Sequence, residues 1–154
     1  MADSIVSQIT QNLKDRLETL STYGGTPTVE LGRLFNTINN RYPYIEIIGP
    51  NVEVETQTHQ VADSKLEYVL KYTVDGNDEN ETENGEISYL TRNVAADIIK
   101  HVMNDISRGG LAQNTKATEY GADFEIVGEN VDYFVYVVIE IQTLIDSSDP
   151  YLIG

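Results

Sequence analysis

The feature that most constrains this chain is the alternation of large apolar and polar residues between positions 66 and 74. Leu66, Tyr68, Leu70, Tyr72 and Val74 share one parity, while Glu67, Lys71 and Thr73 share the other. Successive strand residues point to opposite sides of a sheet. This pattern therefore predicts a strand with one covered face and one solvated face. Val52 to His59 alternates in the same way. So does the segment from Thr118 to Ile126, where Thr118, Tyr120, Ala122, Phe124 and Ile126 interleave with Glu119, Asp123 and Glu125. Pro43 opens a further apolar strand, Tyr44 to Ile48, which Gly49-Pro50 closes. Asp132 to Ile145 is apolar on both parities and is expected inside the sheet. Thr28 to Phe35 reads as a short strand or an arm.

A sheet with one apolar face needs a cover, and two segments supply helical periodicity. Ile5, Ile9, Leu13, Leu17 and Leu20 recur at spacings of four and three, which predicts a helix from about Ile5 to Leu20. Asp3 or Ser4 can cap its start, and Tyr23-Gly24-Gly25-Thr26-Pro27 stops it. Leu90, Val94, Ile98 and Val102, widened by Ala95, Ile99 and Ile106, predict a second helix over about Ser88 to Ser107. Arg108-Gly109-Gly110 ends it with a cation and glycines. The expected architecture is α+β, a mainly antiparallel sheet packed by two amphipathic helices in a single domain. Residues 1–145 form that domain. Residues 146–154 form a C-terminal tail that the fold does not need.

The 154 residues suit one domain, large enough to need no covalent staple. The absence of Cys removes disulfides, thiolate nucleophiles and Cys-ligated metals together. Residues 1–20 hold no signal-peptide core, because Asp3, Lys14, Asp15, Arg16 and Glu18 interrupt the apolar positions. No apolar run is long enough to span a bilayer. The Asn80-Glu81-Thr82 triplet matches a glycosylation acceptor by chance composition.

Charge narrows the function classes. With 10 basic and 25 acidic residues the formal net charge is −15, which repels phosphate backbones and anionic lipid. Beyond Lys116 eight acids follow without a basic residue in sequence: Glu119, Asp123, Glu125, Glu129, Asp132, Glu140, Asp146 and Asp149. A second acidic run holds Asp78, Glu79, Glu81, Glu83 and Glu86 in a solvated loop. A basic protein partner suits such a chain, as does a surface from which DNA must slide. Solubility alone is the plainer use of the charge.

Chemical motifs are sparse. His59 and His101, the two histidines, have no neighbour at metal-ligand spacing. Carboxylates in solvated loops are rarely pushed to different pKa values, as acid–base catalysis requires. Asp75, Asn77, Glu79, Glu81 and Glu86 fall on calcium-loop spacing. However, Thr82 occupies an apolar position of that motif, and the run leaves a strand and not a helix. There is no nucleophile elbow or phosphate-binding loop. The strand tyrosines, Tyr68, Tyr72, Tyr120, Tyr133 and Tyr136, suit packing and lack the cations that base stacking needs. No catalytic, cofactor or metal residues are expected.

The order of elements carries a family likeness. An amphipathic N-terminal helix leads through a Gly/Pro turn to an arm and a Pro-headed strand, Pro43-Tyr44-Ile45-Glu46-Ile47. A strand pair, a second helix and a final hairpin follow, and the chain closes on Ser148-Asp149-Pro150-Tyr151. This resembles the tail-terminator (tail-completion) subunits of tailed bacteriophages across nearly the whole chain, through layout and not through an invariant motif. The resemblance implies a non-enzymatic virion protein at the head-proximal end of the tail, made in the host cytoplasm. It implies a ring, usually a hexamer, that caps the tail tube protein and stops its polymerisation. Such a ring meets head–tail connector or sheath proteins and lets DNA pass without specific binding. Candidate interface residues are Asp78, Glu79, Glu81 and Glu83 in the acidic loop, which departs from the family layout. In the tail they are Asp149, Pro150, Tyr151, Leu152 and Ile153, read as an arm reaching a neighbour. A head–tail connector, neck or other virion assembly protein is the alternative, as is a small acidic ligand- or cation-binding domain.

Overall fold

The computed structural model describes residues 3–21, 26–32, 43–58, 60–75 and 90–154. The expected acidic loop, with Asp78, Glu79, Glu81, Glu83 and the calcium-like spacing, lies outside them, as does His59.

The elements run α1 (Ile5–Leu17), β1 (Thr28–Leu31), β2 (Tyr44–Gln57), β3 (Val61–Asp75), a π-helical turn (Leu90–Val94), α2 (Ala95–Met103), β4 (Asn114–Val127) and β5 (Asn130–Asp146). The strands form one sheet in the order β1-β2-β3-β5-β4. β1 runs parallel to β2, and the other pairs are antiparallel. The fold is therefore α+β, with a mainly antiparallel sheet and two helices on one face.

The predicted apolar parities meet in the core. Leu66, Tyr68, Leu70, Tyr72 and Val74 are all fully buried, as are Val135, Val137 and Ile141 across the β3–β5 ladder. β5 is an interior strand, in keeping with its two apolar parities. From above, α1 contributes Ile5, Ile9, Leu13 and Leu17, and Leu20 just beyond the helix is also buried. α2 contributes Ala95, Ile98 and Val102. α1 rests over β1 and β2, while α2 rests over β4 and β5. Ser4 is the cap of α1, its hydroxyl accepting from the Ser7 amide at 3.2 Å.

Several boundaries differ from expectation. The two strands expected on either side of Gly49-Pro50 are one strand, β2, with an irregularity between Ile48 and Asn51. A proline survives there because β1 pairs only as far as Ile47, so the outer edge of β2 needs no donor at Pro50. Gly49 takes φ +116°, and a Cβ there would stand 2.8 Å from the Glu67 carbonyl. β3 begins at Val61, five residues before the alternating run that starts at Leu66, and Val61 already pairs with Asp146. The second helix ends at Met103, not Ser107. Ile106 therefore leaves the apolar ridge and is exposed.

Arg108 explains that early stop. The chain turns over Asn104–Leu111 and brings Arg108, with φ +49°, back beneath the end of α2. Its guanidinium donates to the Val102 and Asp105 carbonyls, with Nε 2.7 Å from the latter. The side chain is completely buried. Asp105 accepts from the Gly109 amide at 2.9 Å. The expected cation at the helix end is present, but as a buried cap five residues beyond the helix.

Candidate interaction surface

The strands outrun the helices that cover them. At about 3.4 Å per residue, β2 and β5 extend roughly 45–55 Å. At about 1.5 Å per residue, α1 and α2 extend roughly 20 and 14 Å. Two helices of that length cannot cover the whole apolar face, and two corners of the sheet have no helix over them among the described residues.

One corner lies on the far half of β2. Residues 51–58 are all exposed. Val52 and Val54 stand opposite the buried Leu66 and Ser64, so they belong to the helix-bearing face, yet they are 46% and 51% exposed. The expectation that the alternation here marks a covered face is corrected: this stretch of β2 is an edge with no strand beyond it among the described residues, and no helix reaches it.

The other corner lies diagonally opposite, at the β4–β5 turn. Phe124 pairs with Tyr133 and Ile126 with Val131, continuing the core ladder past the N-terminal end of α2. Phe124 is 52% and Ile126 71% exposed. Tyr120, also exposed, joins this corner to an open groove of about 530 Å³ lined by Thr91, Arg92, Ala96, Ile99 and Lys100. Arg92, Ala96 and Lys100 are four residues apart and share the outward flank of the helix. That spacing was available in the sequence, where attention to the buried ridge hides it. Lys100 makes no hydrogen bond or ion pair with any described residue.

The opposite face of the sheet has no helix over it among the described residues. Lys71 reaches Glu125 at 2.9 Å and stands over the Phe134 ring at 4.6 Å. Lys116 reaches Glu140 at 3.5 Å, and Lys65 lies 3.4 and 3.6 Å from Glu53 and Glu55. Two of the eight acids that follow Lys116 are thus opposed by lysines from other strands or from the same hairpin, which distance along the chain conceals.

The tail is not an extended arm. Asp146 accepts on Oδ1 from the Ser148 amide at 2.9 Å, the Ser148 hydroxyl at 2.8 Å and the Asp149 amide at 3.1 Å. Those donors, the Ser148 amide first, hold its carboxyl below the ordinary range. The turn so fixed sends the chain back along its own strand. The Asp146 amide donates to Leu152 at 2.9 Å, the Gly154 amide to Leu144 at 3.0 Å, and the Pro150 carbonyl receives the Ile5 amide at 3.0 Å. Asp149 accepts from the Tyr151 amide. The side chains of Tyr151, Leu152 and Ile153 nevertheless stay about half exposed. The backbone has folded home, and an apolar strip remains available.

His101 lies at the junction of the helices and not in a ligand cluster. Among the described residues no group of three or more His, Cys, Asp or Glu is arranged to hold a metal. Tyr68 is a packing residue: its hydroxyl meets Thr10 at 2.6 Å, and burial pushes its pKa up to about 12. No protein-family model matches the chain, and no curated protein matches it.

Proposed function

We propose that this chain is a structural, non-enzymatic ring subunit of the tail-terminator type, which caps a phage tail tube, halts its polymerisation and joins the tail to the head. The observation that carries this reading is the pair of exposed apolar corners, Val52 with Val54 and Phe124 with Ile126, on opposite edges of one sheet face. A subunit with one self-complementary patch forms a two-fold dimer. A subunit with two different patches on opposite sides associates head to tail, and such contacts close into a ring when the rotation between neighbours divides a full turn. The layout of the chain supports the family, and the net charge of −15 suits a lumen through which DNA slides without capture. The half-exposed strip of Tyr151, Leu152 and Ile153 adds a further surface for the tube or the connector.

The test is electron microscopy of growing tail tubes with the purified protein added. A ring at one end and arrested elongation are expected. Tubes that lengthen unchecked beside unbound protein would reject the reading. Rings that form but bind head connectors instead of tubes would favour the neck alternative.

A further inference from the structure

We infer that the groove beside α2 receives a second copy of this chain, with the Val52–Glu55 edge of one subunit lying along the Arg92–Lys100 flank of the next. This rests on the ring reading above and names the surfaces that would make the ring.

Charge and shape choose the occupant. The groove wall combines apolar surface, Ile99 and Tyr120, with cationic side chains, Arg92 and Lys100. Among the described basic residues, Lys14, Lys65, Lys71 and Lys116 have acidic partners at 2.9–3.6 Å, and Arg16 and Arg108 bind backbone carbonyls. Lys100 has neither among the described residues, on a chain with a large excess of acid. A fitting partner therefore offers apolar groups with carboxylates at their margin. The far half of β2 is such a surface. Val52 and Val54 stand exposed on the helix-bearing face and Glu53 and Glu55 alternate with them on the other, so a neighbour seated on the free edge of β2 meets both sets. Those two carboxylates share one cation, Lys65, so one negative charge of the pair is left over.

Position fits as well. β2 and β4 lie on opposite sides of the sheet, and α2 packs over the β4 side. One subunit cannot bring its own β2 edge to its own groove. Each copy offers one edge and one groove, so the contact repeats around a ring. Like-charge repulsion between whole subunits is long-ranged and salt-screened, whereas the Lys100–carboxylate contact is local and screened less.

The chain contains no Cys, so engineered thiols report without background. In the full-length protein carrying Val54→Cys and Ala96→Cys, both exposed positions, a short bis-maleimide at physiological salt should give a ladder of cross-linked species that ends at a closed oligomer. Either single variant should give no ladder. Lys100→Glu should abolish the ladder, and Glu53→Lys with Glu55→Lys in that background should restore it. Thermal melts of each variant establish that it is folded. A protein that scatters light as a ring yet gives no ladder would overturn this interface and leave the proposed function standing. A protein that stays monomeric in solution and on tubes would overturn both. A strong dimer from Val54→Cys alone would show an edge-to-edge contact and overturn the inference, as would a groove that captures an acidic peptide without self-association.

Discussion

Arg16 and His101 hold each other's backbone. The Arg16 Nε donates to the His101 carbonyl at 3.0 Å, and the His101 Nε2 donates to the Arg16 carbonyl at 2.8 Å. Both carbonyls lie in the last turn of their helix, and that of Arg16 also accepts from the Thr19 amide at 3.2 Å and the Thr19 hydroxyl at 2.7 Å. The pair thus ties the end of α1 to the end of α2 while satisfying both. His101→Ala should lower stability by about 0.5–1.5 kcal/mol, the usual net worth of a lost hydrogen bond, since Thr19 still donates to the Arg16 carbonyl. His101→Gln should recover part of it. Chemical denaturation measures the difference, and an unchanged midpoint for the alanine variant would show that the clasp contributes nothing.

Arg108 makes a stronger claim on stability. Its guanidinium is fully buried and serves two carbonyls at the end of α2. Burial lowers its pKa, and the Asp105 charge partly restores it, but an arginine remains charged in any case. Arg108→Met should cost about 1.5–3 kcal/mol, since the Val102 and Asp105 carbonyls lose a charged donor and keep only backbone donors at 3.3 Å. Arg108→Lys should be nearly as harmful, because an ammonium cannot reproduce the planar fork. A lysine variant that melts like the parent would refute the geometric argument.

Asp105 predicts acid sensitivity in the same turn. Burial would raise its carboxyl, but the Gly109 amide, Ser107 and the Arg108 charge together outweigh burial and hold it below its ordinary 3.8. A carboxylate whose folded pKa is depressed contributes stability above its unfolded value, and that stability is lost as pH falls through the folded value. Unfolding free energy should therefore decline below about pH 4. Asp105→Asn should be less stable at neutral pH and show a shallower decline in acid. Parallel slopes for the two proteins would remove Asp105 from the account.

Truncation after Ile145 bears on the tail. A free arm could be removed without cost, but this tail returns three backbone hydrogen bonds to the domain and covers Ile145. Its loss also orphans the Ile5 amide at the start of α1. The truncated protein should lose about 2–3 kcal/mol from those bonds and the newly exposed apolar surface. Replacing Tyr151, Leu152 and Ile153 by Ser should preserve most of that stability while impairing tube capping. A truncation that leaves the melting temperature untouched would return the tail to the role of a free arm.

Assembly should depend on salt. At −15 per subunit, repulsion is screened beyond about 8–10 Å at physiological ionic strength and reaches farther at low salt. Light scattering should find mainly monomer at low salt, with assembly as salt rises. A stable ring at low salt would show that the contacts outweigh the repulsion.

The sequence by itself determined which residues can face a core and, for the long periodic segments, which secondary structure carries them. Leu66 to Val74 and Ile5 to Leu20 express periods of two and 3.6, which follow from local backbone geometry and from the need to remove apolar groups from water. Hence the fold class and most of the buried face were legible. What the tertiary structure decided was reach and return. Val52 and Phe124 have the same alternating pattern as Leu66, and their exposure follows from the length of helices that pack elsewhere. Lys71 meets Glu125 across 54 residues, and no local pattern records that meeting. Arg108 looked like an ordinary helix-end cation until the turn carried it under α2. The tail's apolar residues looked like an arm until Asp146 fixed a turn that sent the backbone home. Periodicity is a property of neighbours along the chain. Coverage, pairing and capping depend on where distant segments stop in space.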